Sequence, residues 1–139
     1  MPSYADQVDH IRLKASWTKG GKARVVPLLT AEQRDVLNRA HALAGPGSLI
    51  PAHRSYIQQL RIYERHTTRA GLSKLHGLRH AYAQTRYHTL TGWACPAAGG
   101  PLSHQLTADQ RKLDSNARLT ISRELGHARE QISAVYLGR

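Results

Sequence analysis

Phenylalanine is absent from the sequence, and cysteine occurs only once, at Cys95. Any core must therefore be filled by Leu, Ile, Val, Tyr and Trp. A single cysteine excludes an internal disulfide and favours a reducing compartment, the cytoplasm. No apolar run approaches the roughly 18 residues of a membrane-spanning helix, and the N-terminus lacks a signal-peptide pattern. These absences argue against a membrane or secreted protein.

Acidic residues are also scarce. The 139 residues include 9 Asp and Glu against 20 Lys and Arg, which gives a formal net charge of +11. The basic residues are spread along the chain, a distribution that favours a polyanionic partner. An RNA-binding or ribosome-associated protein would have a similar charge, so charge alone does not decide the function. The length suits one domain or part of one.

The N-terminal part of the chain has the pattern of a β-hairpin. Apolar and polar side chains alternate over residues 11–17, which predicts a half-buried strand. The two glycines within residues 19–22 predict a turn, and residues 24–28 predict a returning strand. Pro27 must lie at an edge or an end of that strand. We therefore expect an antiparallel hairpin over residues 8–28.

The rest of the chain, residues 30–139, has mainly helical patterns. The predicted helices run from a capping box at residues 30–33 to Gly45, from Tyr56 to near Gly71, from His76 to Leu90, from a second capping box at residues 107–110 to Gly126, and from Glu130 to Leu137. Residues 93–106 have no periodicity and predict a loop inserted between two of these helices.

Four motifs follow one another in an informative order. The hairpin with Lys19 comes first, then His-Gly-Leu-Arg-His at residues 76–80, then Leu-Gly-His at residues 125–127, and finally Tyr136. Over nearly the whole chain this series resembles the tyrosine recombinase, or phage integrase, family. The resemblance implies an α+β, mainly helical fold: the tyrosine-recombinase catalytic core of DNA breaking-rejoining enzymes, with a small antiparallel sheet and its N-terminal part missing.

The resemblance also implies an enzyme that needs no metal or other cofactor. Tyr136 would attack the scissile phosphate and hold the 3′ end as a phosphotyrosine. Arg79 would bind the non-bridging oxygens with its planar fork of donors, and Lys19 would protonate the 5′-oxygen that leaves. His76 and His127 would hydrogen-bond the phosphate or exchange protons with the nucleophile.

The expected partner is double-stranded DNA. Further DNA contacts are expected from five residues: Lys22, Arg24, His80, Arg123 and Arg129. Lys22 is also the alternative candidate for the general acid. The family resemblance implies a homotetrameric synapse on DNA, a monomeric fragment when alone, and a location in the bacterial cytoplasm, with the nucleoid when bound to DNA.

Several of these residues also have structural explanations. A tyrosine on a short apolar helix is most often a packing residue, but its spacing from His127 favours a nucleophile at Tyr136. Lys19 and Lys22 would also suit a solvated turn. Arg79 could form a surface ion pair, although no acidic residue lies between positions 74 and 90. Four other tyrosines are expected to be packing residues: Tyr56, Tyr63, Tyr82 and Tyr87.

A metal site is the alternative for the two histidines of the third predicted helix. His76 and His80 are four residues apart, which is zinc-ligand spacing on a helix. Arg79 lies between them where a metalloprotease motif would have an acid, and no second pair of ligands completes a site. No metal is therefore expected, and His80 is interpreted as a neighbour of the active site.

The sequence departs from the family pattern in two places. A second catalytic arginine is expected upstream of the hairpin, but Arg12 is the only arginine there and lies within the strand pattern. We therefore expect residues 1–139 to be the C-terminal part of a catalytic domain that is inactive alone. Residues 93–106 also lengthen the interval between Arg79 and His127, either as a contact with DNA or another subunit, or as a surface loop.

The functional hypothesis is site-specific DNA recombination, the integration or excision of a mobile element. One alternative is a non-catalytic DNA-binding fragment that keeps the pocket as a phosphate grip. Another is a type IB topoisomerase-like enzyme, whose chemistry is nearly the same but which relaxes one duplex without exchanging strands. Covalent capture of DNA separates the first alternative from the enzymes.

Overall fold

The structure, a computed structural model, describes residues 5–18, 20–73, 75–127 and 133–139. It is mainly helical with one two-stranded antiparallel sheet, as the sequence predicts. The chain divides into two compact units, residues 1–74 and residues 75–139. Among the described residues, no helix has both the length and the apolar character to cross a membrane.

The first unit begins with the predicted hairpin. Strand β1 (His10–Leu13) pairs antiparallel with β2 (Arg24–Pro27), and Pro27 ends β2 as expected. The prediction that the first strand continues to Trp17 is wrong, because Ala15–Trp17 form a 3-10 helix. The Thr18 hydroxyl stabilises this tighter path, since it contacts the carbonyl oxygens of Ala15 and Lys22 at 3.1 and 2.8 Å.

Two helices complete the first unit, α1 (Ala31–Ala44) and α2 (Tyr56–Arg69). Thr30 caps α1 as predicted, but the Gln33 side chain accepts from the amide of Leu29 at 2.7 Å, so the reciprocal bond of a capping box is displaced by one residue. On α2, Tyr56 and Tyr63 are 66% and 51% exposed. The expectation that these two tyrosines are packing residues is therefore wrong.

The second unit consists of α3 (Gly77–Thr91), α4 (Ala108–Glu124) and the short α5 (Ala134–Leu137). Thr107 and Gln110 form the predicted capping box of α4. The last predicted helix is seen as α5, and its expected first residues, 130–132, lie outside the described residues. The buried core cluster joins all three helices: Ala83, Tyr87, Cys95, Ala117, Ile121, Leu125, Tyr136 and Leu137.

A buried polar network crosses this core. The Tyr87 hydroxyl donates to Asp114 Oδ1 at 2.5 Å, and Arg118 Nε donates to the same oxygen at 2.8 Å. Arg118 Nη1 donates to the carbonyl of Gly138 at 2.9 Å. Buried charges are tolerated when they are paired and hydrogen-bonded, as here. The network thus links α3, α4 and the residue that follows α5.

We expect Tyr87→Phe to lower the free energy of unfolding by about 1.5–3 kcal/mol, the usual contribution of a hydrogen bond to a charged group. Asp114 keeps its ion pair with Arg118, so the protein should remain folded. Chemical denaturation measures the change. Tyr63→Phe is the control at an exposed position and should change stability by less than about 0.5 kcal/mol; equal effects of the two substitutions would contradict the prediction.

Residues 93–106 are part of the packed structure of the second unit. They contain two 3-10 helices, Pro96–Ala98 and Ser103–Gln105, and both Cys95 and Leu106 are buried. Gly138 has a φ of 77°, and a Cβ there would lie 2.8 Å from the Ala97 nitrogen. Residues 97–99 and 102–105 are exposed, so the segment is anchored by Cys95, Leu106 and the contact with Gly138 but has an exposed side; a contact with DNA or another subunit stays a prediction.

Candidate active site

The first turns of α3 place three of the predicted site residues together. His76 is the N-cap residue of α3, and Arg79 and His80 follow in its first turns. Residues three and four apart lie on the same face of a helix. The rings of His76 and His80 are accordingly 6.0 Å apart between centroids. Arg79 and His80 are half-buried, whereas His76 is exposed.

His127 is placed by the end of α4. Gly126 has a φ of 84°, a left-handed conformation that favours glycine. The amide of Gly126 donates to the Arg123 carbonyl at 2.9 Å, and the amide of His127 donates to the Ser122 carbonyl at 2.7 Å. This pair of bonds is a Schellman cap. The Leu-Gly-His motif is thus a helix stop, as the sequence predicts at Gly126, and it fixes the backbone of His127.

Arg79 bridges from α3 to this helix end. Its Nη2 atom donates to the Leu125 carbonyl at 2.8 Å and lies 3.5 Å from Nε2 of His127. The guanidinium therefore lies beside the imidazole of His127, and its Nη2 group is already bonded to the Leu125 carbonyl. Its Nε atom is buried without a hydrogen-bond partner among the described residues.

The ring of Tyr136, on α5, lies near the side chains of the residues just described: His76, Arg79, His80 and His127. Its ring centroid is 4.9 Å from that of His80, 6.2 Å from that of His127 and 6.3 Å from that of His76. The guanidinium carbon of Arg79 lies 6.0 Å from the same centroid. Tyr136 is only 5% exposed. Residues from two sequence motifs therefore converge on the tyrosine that forms a third.

Arg79 is a cation without an acidic partner in this cluster. Each described acidic residue of this unit is already paired with a cation: Asp109 with Lys112, Asp114 with Arg118 and Glu124 with Arg86. Arg79 forms no ion pair with any described residue. A half-buried guanidinium without a carboxylate partner favours an anion beside it, and its planar donors match phosphate geometry. The described residues include no group of three or more His, Cys, Asp and Glu suited to hold a metal ion.

Comparison with known families bears on this site. Residues 7–85 match the family model described as Integrase. The match covers more than half of the 139 residues. The chain belongs to the integrase family. No curated protein and no solved structure matches it.

The integrase match includes the hairpin and the first turns of α3, and therefore Arg79. Membership supports a general role in DNA recombination. His127 and Tyr136 lie beyond the matched residues, so their place in the site rests on the distances above.

Five other residues of this integrase are predicted as site residues from the sequence: Lys19, Lys22, Arg24, Arg123 and Arg129. Lys22 is exposed in the turn between the strands, Arg24 is half-buried in β2, and Arg123 is exposed in the last turn of α4. Lys19 and Arg129 lie outside the described residues. The structure thus brings together His76, Arg79, His80, His127 and Tyr136, while the roles assigned to all ten residues stay predictions.

Two residues beside Tyr136 have no place among the sequence-predicted ones. Gln84 on α3 donates from Nε2 to the backbone carbonyl of Tyr136 at 3.2 Å, and Arg118 on α4 holds the Gly138 carbonyl. The spacing of Asp114 and Arg118 permits an ion pair on one helix face, but no local pattern indicates a contact with the residues that follow Tyr136.

Two other tyrosines of this unit are held in the protonated form. Burial, and then the hydrogen bond to Asp114, raises the pKa of Tyr87 to about 12. Burial, followed by the hydrogen bond to Glu124, raises the pKa of Tyr82 far above its ordinary value. Because a raised pKa disfavours the phenolate, both are poor nucleophiles.

We expect an alkaline titration of phenolate absorbance to show these two tyrosines ionising late. The folded state keeps Tyr87 protonated, so its contribution to stability is complete below the ordinary pKa of 10.0 and is lost as pH rises to about 12. Tyr87→Phe should remove one late-ionising group from the titration curve. A single midpoint near pH 10.0 for all six tyrosines would show this prediction to be wrong.

Proposed function

We propose that this integrase breaks and rejoins DNA through a 3′-phosphotyrosine intermediate, and so carries out site-specific recombination of a mobile element. The observation that carries the proposal is the convergence of Arg79 and three histidines on the ring of Tyr136. The family supports DNA recombination in general. The proposed chemistry accounts for why these residue types belong in one pocket.

In the proposed reaction the Tyr136 oxygen attacks the scissile phosphorus and loses its proton, while the bond from phosphorus to the 5′-oxygen breaks. The 5′-oxygen takes up a proton, and Lys19 is the proposed donor. Arg79 would stabilise the negative charge on the non-bridging oxygens, and His76 and His127 would hydrogen-bond them or accept the tyrosine proton. Reversal of these steps rejoins the strand, because the phosphodiester energy is kept in the tyrosyl ester.

The fold proposed for this chemistry is the tyrosine-recombinase catalytic core. The partner would be double-stranded DNA, contacted in addition by the five residues predicted above, and the active assembly would be a tetramer. The helical character, the small sheet and the family all support this assignment.

A second candidate function is DNA binding without cleavage. It is favoured by the position of Arg12, the one arginine among residues 1–23, which lies within β1 opposite Val25 and not on a helical segment. In this alternative the pocket around Arg79 would grip a phosphate that is never attacked. Both functions predict binding that weakens steeply with salt.

The decisive experiment uses the full-length gene product that contains this chain and a duplex from the ends of its element. A nick near the cleavage point lets the short 5′-hydroxyl strand diffuse away, so that rejoining fails. We expect a covalent adduct on denaturing gels and, by mass spectrometry of its peptides, a nucleotide on Tyr136. An adduct on another residue refutes the assignment, and binding without any adduct favours the second function. Relaxation of supercoils without strand exchange would indicate the topoisomerase-like alternative.

A further inference from the structure

Side chains of α3 and α4 form hydrogen bonds with backbone carbonyls at the C-terminal end of α5. A helix leaves its last carbonyl groups without internal partners, and α5 has four residues, Ala134–Leu137. The Tyr136 carbonyl accepts from Gln84 of α3, and the Gly138 carbonyl accepts from Arg118 of α4. The carbonyls of the nucleophile and of the second residue after it are thus bonded to two different helices.

The Arg118 contact is itself held rigidly. Its Nε atom donates to both oxygens of Asp114, at 2.8 and 3.0 Å, while Nη1 donates to Gly138. The guanidinium carbon lies 5.7 Å from the ring centroid of Tyr87. A planar fork of this kind serves two acceptors at fixed geometry, which a lysine ammonium does not reproduce.

A third contact restrains the same residue from another side. The close approach between Gly138 and Ala97 described above leaves no room for a side chain at position 138. Displacement of α5 toward residues 96–98 is therefore blocked, and displacement away from α3 and α4 breaks two hydrogen bonds. The position of the Tyr136 ring relative to Arg79 depends on these restraints.

We propose that Gln84 and Arg118 are positioning residues that hold Tyr136 in line for attack on the phosphate. This inference rests on the proposed function. The hydrogen bonds of Gln84 and Arg118 to this segment reach the backbone carbonyls of Tyr136 and Gly138, so each residue would act through the backbone of the nucleophile segment. A misplacement of about 1 Å lowers the rate of such a step by about a hundredfold.

The test compares cleavage rates of the nicked duplex at saturating DNA. Gln84→Met keeps length and helix propensity but removes the donor, and Arg118→Lys cannot reach both acceptors. We expect each to lower the cleavage rate by about ten- to a hundredfold with DNA affinity unchanged. Arg111→Lys is the matched control, because Arg111 on α4 also donates to a backbone carbonyl, that of Leu106 at 3.1 Å. Its rate should equal that of the parent.

An exogenous nucleophile separates positioning from a general structural role. In a Tyr136→Phe background, hydrogen peroxide would attack the phosphorus, break the bond to the 5′-oxygen and release a protonated 5′-hydroxyl strand. A free nucleophile needs no alignment by α5. Adding Gln84→Met or Arg118→Lys to this background should therefore leave the peroxide-supported rate unchanged, whereas damage to the phosphate site would lower it.

The outcomes are distinct. Slower tyrosine-dependent cleavage with an unchanged peroxide-supported rate supports the inference. Equal losses in both assays, or normal cleavage by Gln84→Met and Arg118→Lys, overturn it while the parent's adduct still supports the proposed function. A parent protein that forms no adduct overturns the proposed function and this inference with it. Gln84 lies outside the ion-paired network, so its variant remains informative if Arg118→Lys unfolds.

Discussion

Replacing Tyr136 with phenylalanine is expected to abolish covalent capture of DNA while the protein stays folded and still binds DNA. The tyrosine oxygen is the atom that would form the bond to phosphorus, and no other group of the pocket replaces it. The ring packs against His80 and His127, and those contacts persist in phenylalanine. The hydrogen bond from Gln84 reaches the backbone carbonyl, which the substitution leaves in place.

Three measurements check this prediction on the full-length gene product. Adduct on denaturing gels should fall below detection, DNA affinity should change less than about threefold, and stability should change by less than about 1 kcal/mol. Tyr63→Phe is the matched control, because Tyr63 is exposed in the other unit; it should form adduct at the parental rate. Full adduct formation by Tyr136→Phe would remove Tyr136 from the mechanism and with it the main reason for the recombinase proposal.

The parts of the site that could be predicted from sequence are those that depend on local pattern. The spacing of His76, Arg79 and His80 places them together on any helix, and α3 begins within one residue of its expected start. The Leu-Gly-His motif could be interpreted as a helix end, because glycine favours the left-handed conformation that the Schellman cap needs. The capping box of α4 was predictable for the same reason: its donors and acceptors lie three residues apart.

The parts that could not be predicted depend on single contacts between distant residues. The Gly138 carbonyl is satisfied by Arg118, twenty positions away, and nothing in the sequence near either residue records that contact. Residues 93–106 lack periodicity, so their pattern gives no sign that Cys95 and Leu106 are buried. The early end of β1 likewise follows from the Thr18 hydroxyl, which competes with the strand for backbone partners.

Replacing Arg79 with alanine is expected to lower the cleavage rate at saturating DNA by about two to three orders of magnitude, the usual effect of removing one transition-state donor. Arg79→Lys should recover little of this loss, because an ammonium keeps the charge but not the planar fork that matches phosphate. The guanidinium of Arg79 has no carboxylate partner among the described residues, so its removal leaves no buried acid unpaired. Rates on the nicked duplex measure the effect.

Arg86→Lys supplies the comparison, because Arg86 lies on the same helix but pairs with Glu124 at 3.0 Å. Replacing the guanidinium, which donates to Glu124 from two nitrogens, with an ammonium should weaken this structural ion pair and lower stability, and should leave the cleavage rate of the folded fraction near that of the parent. The salt dependence of DNA affinity gives a second criterion. Loss of one phosphate contact reduces the slope of log affinity against log salt concentration by about 0.9. We expect this reduction for Arg79→Ala but not for Arg86→Lys. If Arg79→Ala cleaves within threefold of the parent and keeps its salt slope, the guanidinium of Arg79 serves only to hold the Leu125 carbonyl, and the phosphate must be bound elsewhere.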